Sequence, residues 1–95
     1  MGSYVKVDRD EPLENERELW GVGTPKMPKY LFFDREAKRL VKFMRDVDGL
    51  VGVNLNEKST VWMFETENHA IRARNLMKAE GFAVSKGIGK VFVPK

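Results

Sequence analysis

The residue types that most often carry enzyme chemistry are scarce in this chain. His69 is the single histidine and there is no cysteine, so zinc sites and disulfides lack their usual ligands. His69 falls in the first turn of a predicted helix, where we expect a surface residue rather than a base or a metal ligand. Ser3, Ser59 and Ser85 have no neighbouring base that would activate a hydroxyl. We therefore expect no catalytic residue, no metal and no cofactor.

Two further segments resemble binding motifs only in outline. Asp46 and Asp48 lie at the end of a predicted helix, where we expect them to be solvated rather than to form an acid–base pair or a calcium loop. The glycine-containing segment 21–26 lacks the Gly-Lys-Ser/Thr ending and the strand–helix frame of a phosphate-binding loop. These observations indicate that the protein is not an enzyme.

Basic residues are concentrated on the first predicted helix. The formal net charge of the chain is +3, with an acidic N-terminal part and a basic remainder. Four basic residues recur at helical spacing and are candidate phosphate contacts: Arg35, Lys38, Lys42 and Arg45. The alternative interpretation is a solvated helix face, partly balanced by neighbouring acidic residues.

Length and composition are typical of one small globular domain. The chain has 95 residues, of which 42% are hydrophobic and 33% charged. It contains neither an apolar run long enough to span a membrane nor the apolar segment of a signal peptide. We expect a cytoplasmic protein that does not bind a membrane.

The elements that position these residues are two helices and four strands. Asp34 and Thr66 are predicted N-caps, and Gly49 and Gly81 are predicted to end the helices in the left-handed conformation. The predicted strands are 30–33, 51–55, 61–64 and 90–93. The resulting order βαββαβ predicts a ferredoxin-like α+β fold. It has a four-stranded antiparallel sheet in the order 4-1-3-2, with both helices on one face.

The first part of the chain has a different character. Residues 1–28 are predicted to be an N-terminal extension, either flexible or packed on the sheet, and residues 29–95 to be the ferredoxin-like domain. Within the extension, the segment Asp10-Glu11-Pro12 favours a short helix that continues to Trp20 and ends at Gly21.

One face of the predicted sheet is left uncovered by helices. Strand alternation assigns these side chains to the helix side: Leu31, Phe33, Val51, Val53, Leu55, Trp62, Phe64, Val91 and Val93. It leaves on the open face, as the predicted binding surface, Tyr30, Phe32, Val61, Met63, Lys90 and Phe92. A contiguous apolar patch of this kind normally has a partner. A slip of one residue in the first or third strand would exchange the two sets.

Residues 29–95 resemble the RNA-recognition motif in the pattern of their elements. The resemblance rests on Tyr30 to Phe33, Gly49 to Val53, Phe64-Glu65 followed by Ala70, then Gly81, and the final run Lys90 to Val93. In that family a first-strand aromatic, here matched by Tyr30 or Phe32, stacks on a base, so the resemblance implies single-stranded RNA as a partner. The third strand carries Ser59 and Val61 where the motif has aromatic residues.

We expect a small non-catalytic interaction or regulatory module that binds a protein partner, or a second copy of itself, through the open sheet face. The N-terminal extension is a further candidate for covering this face, because its apolar residues have no other evident place to bury. The alternative is a single-stranded nucleic-acid-binding module that uses Tyr30, Phe32, Lys90 and Phe92 together with the basic helix. A third alternative is a regulatory domain that binds a small molecule as a dimer.

Overall fold

The computed structural model describes residues 11–28 and 34–95. Along the chain the elements are β1 (Glu16–Pro25), α1 (Arg35–Met44), β2 (Leu50–Leu55), β3 (Ser59–Phe64), α2 (Glu67–Ala79) and β4 (Gly89–Pro94). The strands form one antiparallel sheet in the order β2-β3-β1-β4. The predicted βαββαβ arrangement, an α+β fold of the ferredoxin-like kind, is confirmed.

The central strand comes from a segment that the sequence analysis assigned to the N-terminal extension. β1 pairs with β3 along one edge and with β4 along the other. The predicted short helix that ends at Trp20 is therefore wrong, and so is the boundary between residues 28 and 29. Residues 30–33 lie outside the described residues, and β1 occupies the place between β3 and β4 that they were given.

Gly21 explains why β1 was interpreted as the end of a helix. A Cβ atom at Gly21 would lie 2.9 Å from Val61 Cγ1 and 3.0 Å from Val91 Cγ2, because both valine side chains pack against the strand at this point. A glycine inside a strand often marks such a close approach. This glycine therefore reflects packing within the sheet and does not end a helix.

The helix ends follow the local signals in the sequence. Asp34 Oδ1 accepts a 2.8 Å hydrogen bond from the backbone N–H of Ala37, and Thr66 Oγ1 accepts one of 3.1 Å from that of His69. Gly49 and Gly81 have φ angles of +82° and +91°, a conformation that glycine adopts at low cost. The predicted N-caps and the Gly81 stop are therefore confirmed. The Gly49 stop is wrong, because α1 already ends at Met44 and Gly49 lies in a separate turn before β2.

Apolar side chains are buried on both faces of the sheet. The helix-side core consists of Val22, Leu40, Met44, Trp62, Phe64, Ala70, Ala73, Met77 and Phe82. A smaller group on the face away from the helices, here called the outer cluster, consists of buried Leu19, Val61 and Val91 with partly buried Met63 and Val93. β1 contributes to both groups, as expected of the strand at the centre of the sheet.

The orientation of β3 agrees with the prediction, whereas that of β4 is reversed. Val91 pairs with Leu19 and lies in the outer cluster, so the expectation that it faces the helices was wrong. Lys90 pairs with Trp20, which packs against the helix-side core. Since Val91, Phe92 and Val93 are all apolar, their order alone gives no phase, and the register with β1 decides it.

Ser85 attaches the segment after α2 to the end of β1. Its backbone N–H donates to Gly23 O at 2.8 Å, and its Oγ accepts from Gly23 N at 3.1 Å and donates to Gly87 O at 2.7 Å. The Ser85 carbonyl accepts a 2.6 Å bond from Arg74 Nε on α2. The β1–β4 pairing ends at Gly21 and Gly89, and Ser85 adds hydrogen bonds to β1 one step further along, at Gly23.

Candidate functional site

The structure does not bring the predicted open-face residues together on one face. Val61 and Met63 lie in the outer cluster, as expected for β3. Lys90 and Phe92 lie instead on the helix side of β4, in register with Trp20 and Glu18 of β1. Tyr30 and Phe32 lie outside the described residues. The predicted aromatic surface is therefore not assembled by the residues that the structure describes.

The outer cluster is aliphatic and already largely buried. Leu19, Val61 and Val91 are only 4%, 8% and 2% exposed. Over residues 11–28 and 34–95, no aromatic side chain belongs to this cluster. Base stacking requires exposed aromatic rings, and docking of a protein requires exposed apolar area. The described part of this face offers little of either.

The two edges of the sheet differ in how they are protected. β4 carries Lys90, whose Nζ lies 3.3 Å from Glu18 Oε1 and 5.7 Å from the centre of the Trp20 ring. The strand ends at Pro94, which has no N–H to offer to a further strand. Lysine and proline on an edge strand discourage pairing with another chain. β4 therefore has two of the usual protections.

β2, the opposite edge strand, has neither protection. Its sequence Leu-Val-Gly-Val-Asn-Leu contains no charged residue and no proline. Val51, Val53 and Leu55 are 43%, 44% and 64% exposed, and they are three of the six large hydrophobic side chains found exposed among the described residues. An exposed apolar edge strand is a typical site for the addition of another strand.

The backbone of β2 is also oriented for such an addition. Asn56 N donates to Ser59 O at 3.1 Å, which fixes the phase of the ladder between β2 and β3. Since residues of an antiparallel strand alternate between its two neighbours, the N–H and C=O groups of Val53 and Leu55 are directed away from β3. Within the described residues, no strand pairs with this outer edge.

A bulge interrupts the first part of β2. The register with β3 shifts between Leu50 and Gly52, so Val51 is an additional residue without a direct partner. Beyond the bulge, Val53 pairs with Trp62 and Leu55 with Thr60, which places both side chains on the helix side as predicted. They remain exposed because they lie at the margin of the sheet. The regular part of the available edge thus begins at Gly52.

The basic stripe of α1 is exposed in the structure, as the helical spacing indicates. Among the described residues, Arg35, Lys42 and Arg45 form no ion pair. Arg39 is held differently, because its guanidinium lies 4.2 Å from the centre of the Phe82 ring and donates a 2.6 Å bond to a carbonyl at the end of α2. The stripe has the charge to attract phosphate, but the described aromatic residues do not form a stacking surface with it.

The contacts of His69 are those of a structural residue at the start of α2. Its Nδ1 lies 2.8 Å from Thr66 Oγ1, and its ring packs so close to Gly49 that a Cβ atom there would collide with His69 Cγ. The described residues contain no group of His, Asp and Glu side chains that could hold a metal ion. Neither of the described helices is long and apolar enough to cross a membrane.

Two cavities lie near the end of β1. One of about 220 Å³ is lined by apolar residues such as Leu40 and Phe82 and by the charged residues Lys26, Asp34 and Glu36. The other, of about 360 Å³, is lined by small or uncharged residues including Thr24, Ser59 and Ser85. Ligand sites usually combine about 300–1,000 Å³ with a few convergent polar groups. The first cavity is smaller than that range, and the second lies at its lower end and has no charged residue in its lining.

The β2 edge was not among the predicted binding surfaces, although the sequence contains a signal for it. The predicted strand 51–55 has no charge and no proline, whereas the segment Gly89–Pro94 contains both. Comparison of the chain with protein-family models, with curated proteins and with solved structures gives no match, and the functional argument therefore depends on this geometry.

Proposed function

We propose that this chain is a small non-catalytic interaction module that binds a protein partner by adding an extended strand to the outer edge of β2. The observation that carries the proposal is the contrast between the two edge strands. β4 is protected by Lys90 and Pro94, whereas β2 is uncharged and exposes Val51, Val53 and Leu55. This contrast supports an interaction at the edge of the sheet rather than on its face.

Strand addition fits the groups that β2 presents. The outward N–H and C=O groups of Val53 and Leu55 would bond to the added backbone, while their exposed side chains would contact alternate residues of the partner. Covering the exposed half of a valine or leucine side chain contributes about 1 kcal/mol. The expected partner is therefore an extended segment with apolar residues at every second position.

The proposal is tested by titrating a short peptide of alternating valine and threonine into the isotope-labelled full chain and recording amide NMR shifts. We expect the largest shifts at Val53 and Leu55. Val53→Lys should weaken binding about tenfold, a loss of about 1.4 kcal/mol. Ile71→Lys is the matched control, because Ile71 on α2 is 43% exposed and Val53 is 44% exposed.

The nucleic-acid alternative is decided with Val53→Lys, a further variant Lys42→Glu and a labelled single-stranded oligouridine. Strong binding that falls steeply with salt, is lost in Lys42→Glu and is unchanged in Val53→Lys would favour the basic stripe of α1. Together with unmoved β2 amides in the peptide titration, that result would overturn the proposed function.

A further inference from the structure

We infer that the partner of the β2 edge is a second copy of this chain, with the two β2 strands paired antiparallel across a twofold axis. This inference rests on the proposed function, because it names the occupant of the same edge. Twofold pairing uses one surface patch on both subunits, so it requires a strand that is complementary to itself.

The backbone of β2 meets this requirement at Val53. An antiparallel pair centred on this residue sets each Val53 opposite its copy, and the outward N–H and C=O groups of the two residues exchange both hydrogen bonds. Gly52 of each chain then faces Asn54 of the other. Val53 is the natural centre because it follows the bulge between Leu50 and Gly52 and lies in the regular part of the edge.

The side chains of β2 add no repulsion in this arrangement. A residue on a twofold axis meets itself, so a charged residue there would face a like charge. Val53 is apolar, and residues 50–56 contain no charge at all. Val53 and Leu55 both lie on the helix side, 44% and 64% exposed. Across the axis they would form one continuous apolar strip from the two copies.

The opposite edge of the sheet does not offer the same contact. In β4, Lys90 is engaged by Glu18 and the strand finishes at Pro94. Self-pairing of β4 is opposed by Lys90 and by Pro94, which has no N–H to give to the ladder. Only β2 combines outward backbone groups with uncharged, exposed side chains among the strands that the structure describes.

The expected dimer is weak. Stable protein interfaces bury about 1,200–2,000 Å² in total, and two short strands that meet at one edge fall at or below the lower limit. The bulge shortens the regular ladder further. We therefore expect a monomer–dimer equilibrium that becomes visible at high protein concentration.

The test is sedimentation equilibrium of the full chain from micromolar to millimolar concentration, with Val53→Lys and Ile71→Lys as variants. We expect a dimer for the wild type and for Ile71→Lys. In Val53→Lys the dissociation constant should rise at least about tenfold, because two ammonium groups would meet at the axis. A wild type that stays monomeric, or a Val53→Lys dimer of unchanged affinity, would overturn the inference.

A conservative variant guards against misfolding of Val53→Lys. Because the chain has no cysteine, Val53→Cys accepts a single nitroxide label. Directly opposed Cα atoms in such a pair are about 5.5 Å apart, so the labelled dimer should show strong dipolar broadening in its EPR spectrum. The same label on Ile71→Cys should give a narrow spectrum. Narrow spectra at both positions in a dimeric sample would exclude the β2 contact.

The outcomes separate this inference from the proposed function. If the chain is monomeric but the valine–threonine peptide moves the β2 amides, the edge binds strands from another protein and the second copy is the wrong occupant. If the chain dimerises with broadened Val53 spectra, both stand. If neither the peptide nor a second chain reaches β2, both are wrong.

Discussion

Replacement of one buried hydroxyl should stabilise this protein. Thr60 on β3 is 0% exposed, and its Oγ1 has no hydrogen-bond partner among the described residues. Thr24, its direct partner across the sheet, is 4% exposed and accepts a 2.9 Å bond from Trp62 Nε1. Valine has the shape of threonine with a methyl group in place of the hydroxyl. Thr60→Val therefore removes an unpaired polar group without opening a cavity.

The magnitude follows from the cost of an unmade hydrogen bond. A buried polar group without a partner costs about 1–3 kcal/mol, so Thr60→Val should raise the free energy of unfolding by about 1 kcal/mol. Thr24→Val makes the same chemical change at the paired position, but it leaves the indole N–H of Trp62 without a hydrogen-bond acceptor. It should therefore lower the free energy of unfolding by about 1–3 kcal/mol. In a domain of this size, each kcal/mol moves Tm by about 4–8 °C.

The assay is urea unfolding followed by far-UV circular dichroism, with thermal melts as a second measure. The midpoints are compared only if the three proteins share one slope, since a changed slope would mean a changed unfolded or native state. If Thr60→Val lowers stability as much as Thr24→Val does, then the Thr60 hydroxyl is bonded in solution. The assignment of an unpaired group would then be refuted.

Four further substitutions test contacts described above. Gly49→Ala should destabilise more than Gly81→Ala. Both force alanine into a left-handed conformation at a cost of about 1–2 kcal/mol, but only the first also collides with His69; equal urea midpoints would contradict this. Ser85→Ala should lower stability by about 1 kcal/mol and speed hydrogen exchange at the β1 amide that it caps, whereas unchanged exchange would argue against the bond. Arg39→Lys keeps the charge but loses the planar stack on an aromatic ring, so a loss of about 0.5–1 kcal/mol should persist at high salt.

Much of the fold was predictable because its signals are local. Asp34 and Thr66 cap helices through their own neighbouring amides, and Gly49 and Gly81 adopt positive φ angles for reasons contained in a few residues. The order of elements then limits the topology to very few arrangements. The sheet order was obtained in this way even though its central strand was assigned to the wrong segment.

The position of β1 was not predictable from local pattern. The segment Glu16–Pro25 contains charged residues, two glycines and a proline, and it lacks clean alternation because it is buried on both faces. Its identity as a strand depends on pairing with β3 and β4, which are distant in sequence. The aromatic run 30–33 has the higher strand propensity, and propensity yields to such long-range contacts.

The candidate site was missed for a related reason. The prediction asked which face of the sheet is uncovered, and its answer depended on strand phases that apolar runs such as Val91 to Val93 do not fix. The more informative question was which strand lies at an unprotected margin. Residues 50–56 contain no charged residue and no proline. This absence indicates an unprotected edge only when β2 is known to be an outer strand.

The unequal margins of the sheet also determine how far any assembly can grow. Once β2 is occupied, the combined sheet ends on both sides in copies of β4, where Lys90 and Pro94 oppose further pairing. The association inferred at β2 would therefore stop at two chains instead of propagating into a fibre. Replacing Lys90 and Pro94 would remove the features of β4 that oppose further pairing, and the closed pair could then extend into an open-ended polymer.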